Sequence, residues 1–310
     1  MTQPLITAPG EYLDIAAEDY HGREICPAPS ISSSGLKTIL NKSPRHYWHG
    51  SALNPNRPPE STKTHFRVGK AVHDVILLAD RWEEFYHITP AGFSAAHHKK
   101  WEAEMPAYIE AVEAGKTILN ETEAQTVQAM AREVRANQFA NAALINGDPE
   151  VTLAWQDSQT GVWLRVRPDF RPHSVKSGHD LRIVPDVKTA ADASRQVFER
   201  AIANNGYHMS AALYADGIKA IYGHYPTHWL HVVVEKDAPH VVALWELPGE
   251  DIERGRWLNR RAINAFADCL HKGKWPGYAD EVAQCGLPYW ERKRVDEGIT
   301  PDGLAWADAA

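Results

Sequence analysis

The stretch from Trp163 to Thr189 constrains this chain most. It reads WLRVRPDF, then a polar loop, then LRIVPDVKT. Two apolar, strand-like runs each end on an acid, Asp169 and Asp186, and Lys188 follows Asp186 at a spacing of two. Side chains two apart on a strand point to one face. Asp186 and Lys188 therefore project together, while Val187 points the other way, into a core. A hairpin-like pairing of the two runs would bring the two carboxylates together. Two carboxylates and an ammonium on one rim suit a hard cation held beside a phosphate.

The pattern around this stretch predicts a mixed α/β domain with a helical N-terminal part. The sheet begins near Val151, where VTLAWQ alternates, DSQTG turns and VWLRVRPDF alternates again. Pro185 inside the third strand points to an edge or a bulge. Helices follow over 193–204 and 207–222, parted by Asn205-Gly206. THWLHVVVEK and HVVALWEL are two more strands, and a long helix covers 251–270. Upstream, Ser32 or Ser33 caps a helix with the stripe Leu36, Ile39 and Leu40, which ends at Ser43-Pro44. A loop over 54–64 leads to a buried helix over 66–80, FRVGKAVHDVILLAD. Asn120 with Glu123 forms a capping box for a helix to about Ala143. The expected organisation is a loosely structured lead-in over 1–30, one domain over 31–276 and a tail over 277–310.

With 310 residues the chain can bury a sizeable core. Its net charge of −7 advertises no global field for nucleic acid, although a groove can be basic on an acidic protein. Three dispersed cysteines, Cys26, Cys269 and Cys285, point to a reducing compartment without a disulfide framework. No apolar run is long enough to span a bilayer, and MTQPLITAPGEYLD lacks the blocks of a signal peptide. The expectation is a cytoplasmic protein with no membrane partner. Neither a glycine-rich phosphate loop nor zinc-ligand spacing is found.

Several further residues carry two readings each. His73 lies between apolar neighbours on its helix, as a hydrogen-bonded core histidine or as a metal ligand. Glu150 precedes the first strand, as a further metal oxygen or an exposed turn residue. Arg165 and Arg167 share a strand face and either touch phosphate, cover a sheet or pair with acids. Lys99 and Lys100 make a short basic patch, which can equally be a solvated helix start. Tyr207, Ser210 and Tyr214 share a helix face, where core packing competes with hydroxyls reaching a phosphodiester.

Taken together these segments are recognisable. ISSSGLKTILNKSPRHYW, GKAVHD, RPDF, PDVKTAADAS and YHMSAALYADG occur in that order. In this respect the chain resembles the PD-(D/E)xK nucleases, and within them the RecE-type (exonuclease VIII) exodeoxyribonucleases of phages and prophages. The resemblance implies a single restriction-endonuclease-like domain, a central mixed sheet flanked by helices. It implies His73, Asp169, Asp186 and the carbonyl of Val187 as ligands of Mg²⁺ or Mn²⁺, with Lys188 and Tyr214 catalytic beside the two acids. Where the family often carries a glutamine, this chain has Ser210. The implied activity is digestion of linear double-stranded DNA from its ends, 5′→3′, leaving a 3′ single strand. The implied partners are a single-strand annealing protein and further copies of the chain in a ring. Two rival readings are a decayed nuclease fold that only binds DNA or assembles, and a structure-specific endonuclease.

Overall fold

A computed structural model describes residues 4–13, 15–58, 64–78, 81–279 and 281–298. The expected loop over 54–64 and helix over 66–80 therefore lie partly outside the described residues, at 59–63 and 79–80, as do the ends of the lead-in and the tail. Residues 1–275 form one unit and 276–310 a second, in which the helix Tyr289–Asp296 is described.

The N-terminal part runs β1 (Gly10–Tyr12), α1 (Ala17–Gly22), β2 (Ser30–Ser32), α2 (Ser33–Asn41), α3 (Pro44–Gly50) and α4 (Thr64–Leu77). Next come α5 (Trp82–Phe85), β3 (Tyr86–Thr89), α6 (Met105–Glu113), β4 (Thr117–Asn120), α7 (Glu121–Ala136) and α8 (Gln138–Ala143). The strand-rich part holds β5 (Gly147–Pro149), β6 (Thr152–Gln156), β7 (Trp163–Val166), β8 (Phe170–Pro172), α9 (His173–Ser177) and β9 (Ile183–Ala190). The unit closes with α10 (Arg195–Asn205), α11 (Tyr207–Tyr222), β10 (His228–Glu235), β11 (Val242–Glu246) and α12 (Gly249–Lys272).

The predicted mixed α/β architecture is present, with its strands divided among sheets ordered β1-β6-β7-β2, β11-β10-β9, β3-β4 and β5-β8. The predicted hairpin of β6 and β7 is antiparallel, with Leu153 opposite Val166 and Gln156 opposite Trp163. Strand periodicity then sorts the side chains. Leu153, Trp155, Leu164 and Val166 join the main core, which also takes in Leu36 of α2, Leu213 of α11 and Phe266 of α12. Ala154 and Trp163 face the other way, against Ile6, Ile15, Tyr20 and Ile25.

That second cluster corrects the expectation for residues 1–30. The described residues of this segment are not a loose lead-in, because β1 adds an edge strand beside β6 and α1 covers the outer sheet face. Two helix ends also differ. Ser43-Pro44 ends α2 but also starts α3, with Ser43 accepting from the His46 N–H. The Asn120–Glu123 capping box forms as predicted, but Asn137 breaks the helix and caps α8.

Candidate active site

β9 is the edge of its sheet, so one side of its backbone has no partner strand. In extended chain, the N–H and C=O of one residue point to the same side. Val187 presents both to the open edge. Its N–H donates to Asp169 Oδ2 at 2.7 Å, and its carbonyl accepts from Lys188 Nζ at 3.0 Å. Pro185, two residues back, has the same parity, so its missing N–H removes no ladder bond. Register with β10 is unbroken from Ile183↔His228 to Ala190↔Glu235. Of the two meanings the proline allowed, the edge holds and the bulge does not.

The Asp186 and Lys188 side chains project together, with Lys188 Nζ 2.6 Å from Asp186 Oδ2 and 3.8 Å from Asp169 Oδ2. Val187 is fully buried on the opposite face, beside Val72 and Val232. Asp169 arrives by a route the alternation did not suggest. The run WLRVRPDF does not continue as one strand: β7 ends at Val166, Asp169 sits in the connection, and β8 pairs antiparallel with β5. The hairpin-like pairing with β9 is therefore absent, and the carboxylate reaches β9 through its side chain. Helix α4 supplies His73, whose Nδ1 is 3.6 Å from Asp169 Oδ2. At 25 % side-chain exposure this histidine lines a cleft and is not a core residue.

The two acids are pushed apart. Burial raises the Asp169 carboxyl above its usual value and outweighs the opposing charges of Lys188 and His73. Burial acts on Asp186 too, but there the adjacent Lys188 charge and the hydrogen bond from His231 win, holding it well below the carboxylate range. Lys188 is raised: burial opposes its charge, and Asp186 and Asp169 more than restore it. The ammonium stays charged beside an ionised Asp186.

The cleft encloses about 710 Å³ and is walled by His73, Asp169, Glu150, Arg167, Ser210 and Tyr214 among others. Glu150 has φ +49° and its carboxylate is held by Arg167 at 2.7 Å, so it is a partner of that arginine and not a member of the carboxylate pair. Arg167 also donates to the Ile15 carbonyl at 2.8 Å. Arg165 is not a free cation for a phosphate. It is buried, donates to the Tyr20 carbonyl and stacks 4.9 Å above the Tyr20 ring. Lys99 and Lys100 are exposed on a turn, with Lys100 over the Trp101 ring at 4.9 Å, and neither lines the cleft. Burial raises the Tyr214 hydroxyl well above its ordinary pKa, which leaves a donor and not a base.

Two residues escaped the sequence reading. Lys37 of α2 lines the cleft and donates to Ser210 Oγ at 3.0 Å, where Ser33 donates as well. Burial, helped by the Lys188 charge, lowers its pKa. His231 of β10 is paired with Asp186 in register, and its Nδ1 lies 3.0 Å from Asp186 Oδ2.

Among the described residues, no group of three or more His, Cys, Asp or Glu side chains stands ready to hold a metal ion. The two acids gather around Lys188 instead. Its ammonium already contacts Asp186 Oδ2 and the Val187 carbonyl, and lies near Asp169 Oδ2. A cation thus sits among three oxygens, with an imidazole beside the third. Carboxylate and carbonyl oxygens with one imidazole are the donor types that suit Mg²⁺ or Mn²⁺, so the residues fit such an ion in kind.

A model of a PDDEXK-like domain of unknown function, DUF3799, matches residues 32–288. The chain belongs to this family. The DUF3799 fold is similar to a crystal structure from Eubacterium rectale described as a "Putative exonuclease", with a TM-score of 0.59 and 10 % identity over 91 % of this chain and 98 % of that one. At that identity the likeness speaks for the fold. No curated protein matches. Among the described residues of this DUF3799 protein, no helix is long and apolar enough to cross a membrane.

Proposed function

We propose that this protein is a cytoplasmic, metal-dependent exodeoxyribonuclease of the RecE type, which digests linear double-stranded DNA from its ends, 5′→3′, and leaves a 3′ single strand. The observation that carries the reading is the convergence of four side chains from three places. His73 comes from α4, Asp169 from the β7–β8 connection, and Asp186 and Lys188 from the edge of β9. Membership of a PDDEXK-like family supports it.

His73, Asp169, Asp186 and the Val187 carbonyl would hold Mg²⁺, or Mn²⁺ in its place. Such an ion, when bound, lowers the pKa of a water and polarises a phosphate. The chain's own residues supply the rest. Lys188, charged throughout neutral pH, stabilises negative charge as it builds on the phosphate. Tyr214, held protonated, donates a hydrogen bond and does not take a proton. Lys37 and Ser210, bonded to each other on the cleft wall, offer a cation and a hydroxyl to the DNA backbone. The product single strand is what a strand-annealing partner protein would receive, and copies of the chain would close as a ring around the duplex.

The deciding experiment digests end-labelled linear duplex with Mg²⁺ and with EDTA, blocking each end chemistry in turn, beside a closed-circular plasmid. Digestion that needs Mg²⁺, starts at 5′ ends and spares the circle is expected. Cutting of the circle would establish an endonuclease instead. Metal-independent DNA binding without cleavage would establish a decayed nuclease fold, a reading that the Ser210 departure favours.

A further inference from the structure

Asp186 Oδ2 receives two groups, Lys188 Nζ at 2.6 Å and His231 Nδ1 at 3.0 Å. Among the described residues no hydrogen bond is made to its Oδ1. An ionised carboxylate only accepts, so Nδ1 of His231 carries the proton and donates. That tautomer leaves Nε2 as a bare acceptor, and Nε2 is buried without a partner. An orphaned buried acceptor is destabilising. The ring is only 1 % exposed and wedged among aromatic rings, with centroids 5.3 Å from Phe198, 5.7 Å from Tyr207 and 6.5 Å from Trp229. An apolar side chain would fill that space without the orphan. What the imidazole adds is its other nitrogen, delivered to Asp186 by the β9–β10 register.

We infer that His231 is a positioning residue for the divalent-metal site, holding Asp186 by Oδ2 so that Oδ1 is presented to the ion. The inference rests on the metal-dependent reading above. It does not place His231 in contact with metal or DNA. Outer groups that orient a metal ligand in this way are typically worth about 10–100-fold in metal affinity.

The test measures Mn²⁺ binding to the intact chain by electron paramagnetic resonance, without DNA. His231→Leu keeps the packing and removes the donor. His231→Asn places an amide nitrogen where Nδ1 was. The Leu variant is expected to bind Mn²⁺ about 10–100-fold more weakly. The Asn variant is expected to recover to within a few-fold of wild type, both variants keeping a cooperative thermal transition. A Leu variant that binds Mn²⁺ as wild type does overturns the inference and leaves the nuclease reading intact. So does a folded Asn variant as weak as Leu. Wild-type protein that binds no Mn²⁺ overturns both. Should Leu fail to fold, Asn against His231→Gln, whose donor mimics Nε2, gives the same comparison: equal affinities overturn it.

Discussion

Lys188 holds together two carboxylates that would otherwise repel. Its ammonium is the only cation within 4 Å of both Asp169 and Asp186 among the described residues. Removing one member of a buried ion pair typically destabilises by about 3–5 kcal/mol. Lys188→Ala is therefore expected to lower the metal-free melting temperature and to bind Mn²⁺ at least as tightly as wild type, since the resident cation is gone. Added Mn²⁺ should restore most of the lost stability. Cleavage should fall by about 10²–10³-fold or more. Near-normal cleavage by the purified variant would remove the lysine from the mechanism. This lysine was legible because strand parity alone places it with Asp186. His231 was not, because a lone histidine in WLHVVVE looks like any strand residue until the register of two distant parallel strands is known. Arg165 misled for a related reason: its basic charge is visible in the sequence, whereas the Tyr20 carbonyl and ring that engage it are 145 residues away.

The helices are anchored at points where one atom decides the fit. At Gly255 of α12, an added Cβ would lie 2.2 Å from the His208 carbonyl oxygen of α11. One turn later Asn259 donates to the Met209 carbonyl at 2.8 Å, so the same face of α12 is pinned to the first turn of α11. Gly255→Ala should destabilise by about 1–3 kcal/mol through overpacking, although alanine is the better helix former by about 1 kcal/mol. Gly249→Ala on the same helix meets nothing within 4 Å and should be neutral or slightly stabilising. Equal melting temperatures for the two variants would show that α12 can shift. A second anchor joins α12 to the β6–β7 turn, where Arg260 grips Asp157 at 2.7 and 2.9 Å. Burial pushes the Asp157 carboxyl up, but the hydrogen bonds from Arg260 and Thr160 outweigh it and hold the value down at about 2. Because the folded value lies below the free one, this contribution is present above about pH 4 and is lost as the pH falls towards about 2. Asp157→Asn should therefore be less stable than wild type at pH 7, by about 1.5–3 kcal/mol, and the gap should close on acidification. Parallel stability curves would exclude the clasp. The long elements, such as α11 and α12, were readable from apolar periodicity. The break of WLRVRPDF into β7 and β8 was not, since alternation continues past Val166 while the pairing partner changes from β6 to β5.

On the scale of the molecule, the proposed activity requires an acidic chain to stay on an acidic polymer. The net charge is −7, and much of the positive charge lining the cleft is already engaged, Lys70 by Asp74 and Arg167 by Glu150. Few phosphates can be neutralised without breaking these pairs, so electrostatic grip should be weak to begin with, and added salt loosens it further. Sustained digestion then needs another source of retention, and the proposed ring supplies it, because a closed ring leaves a duplex by reaching its end and not by exchanging counterions. The two modes separate in one experiment. Protein is first engaged on long linear duplex without Mg²⁺, and then Mg²⁺ is added together with excess competitor DNA and a salt jump from about 50 to 200 mM. Encirclement predicts that molecules already engaged continue to digest at a rate within a few-fold of the low-salt rate, while protein mixed with DNA after the jump barely starts. Immediate arrest of the engaged population would mean that charge alone had been holding the complex, and the ring would have to be abandoned even if cleavage itself stands.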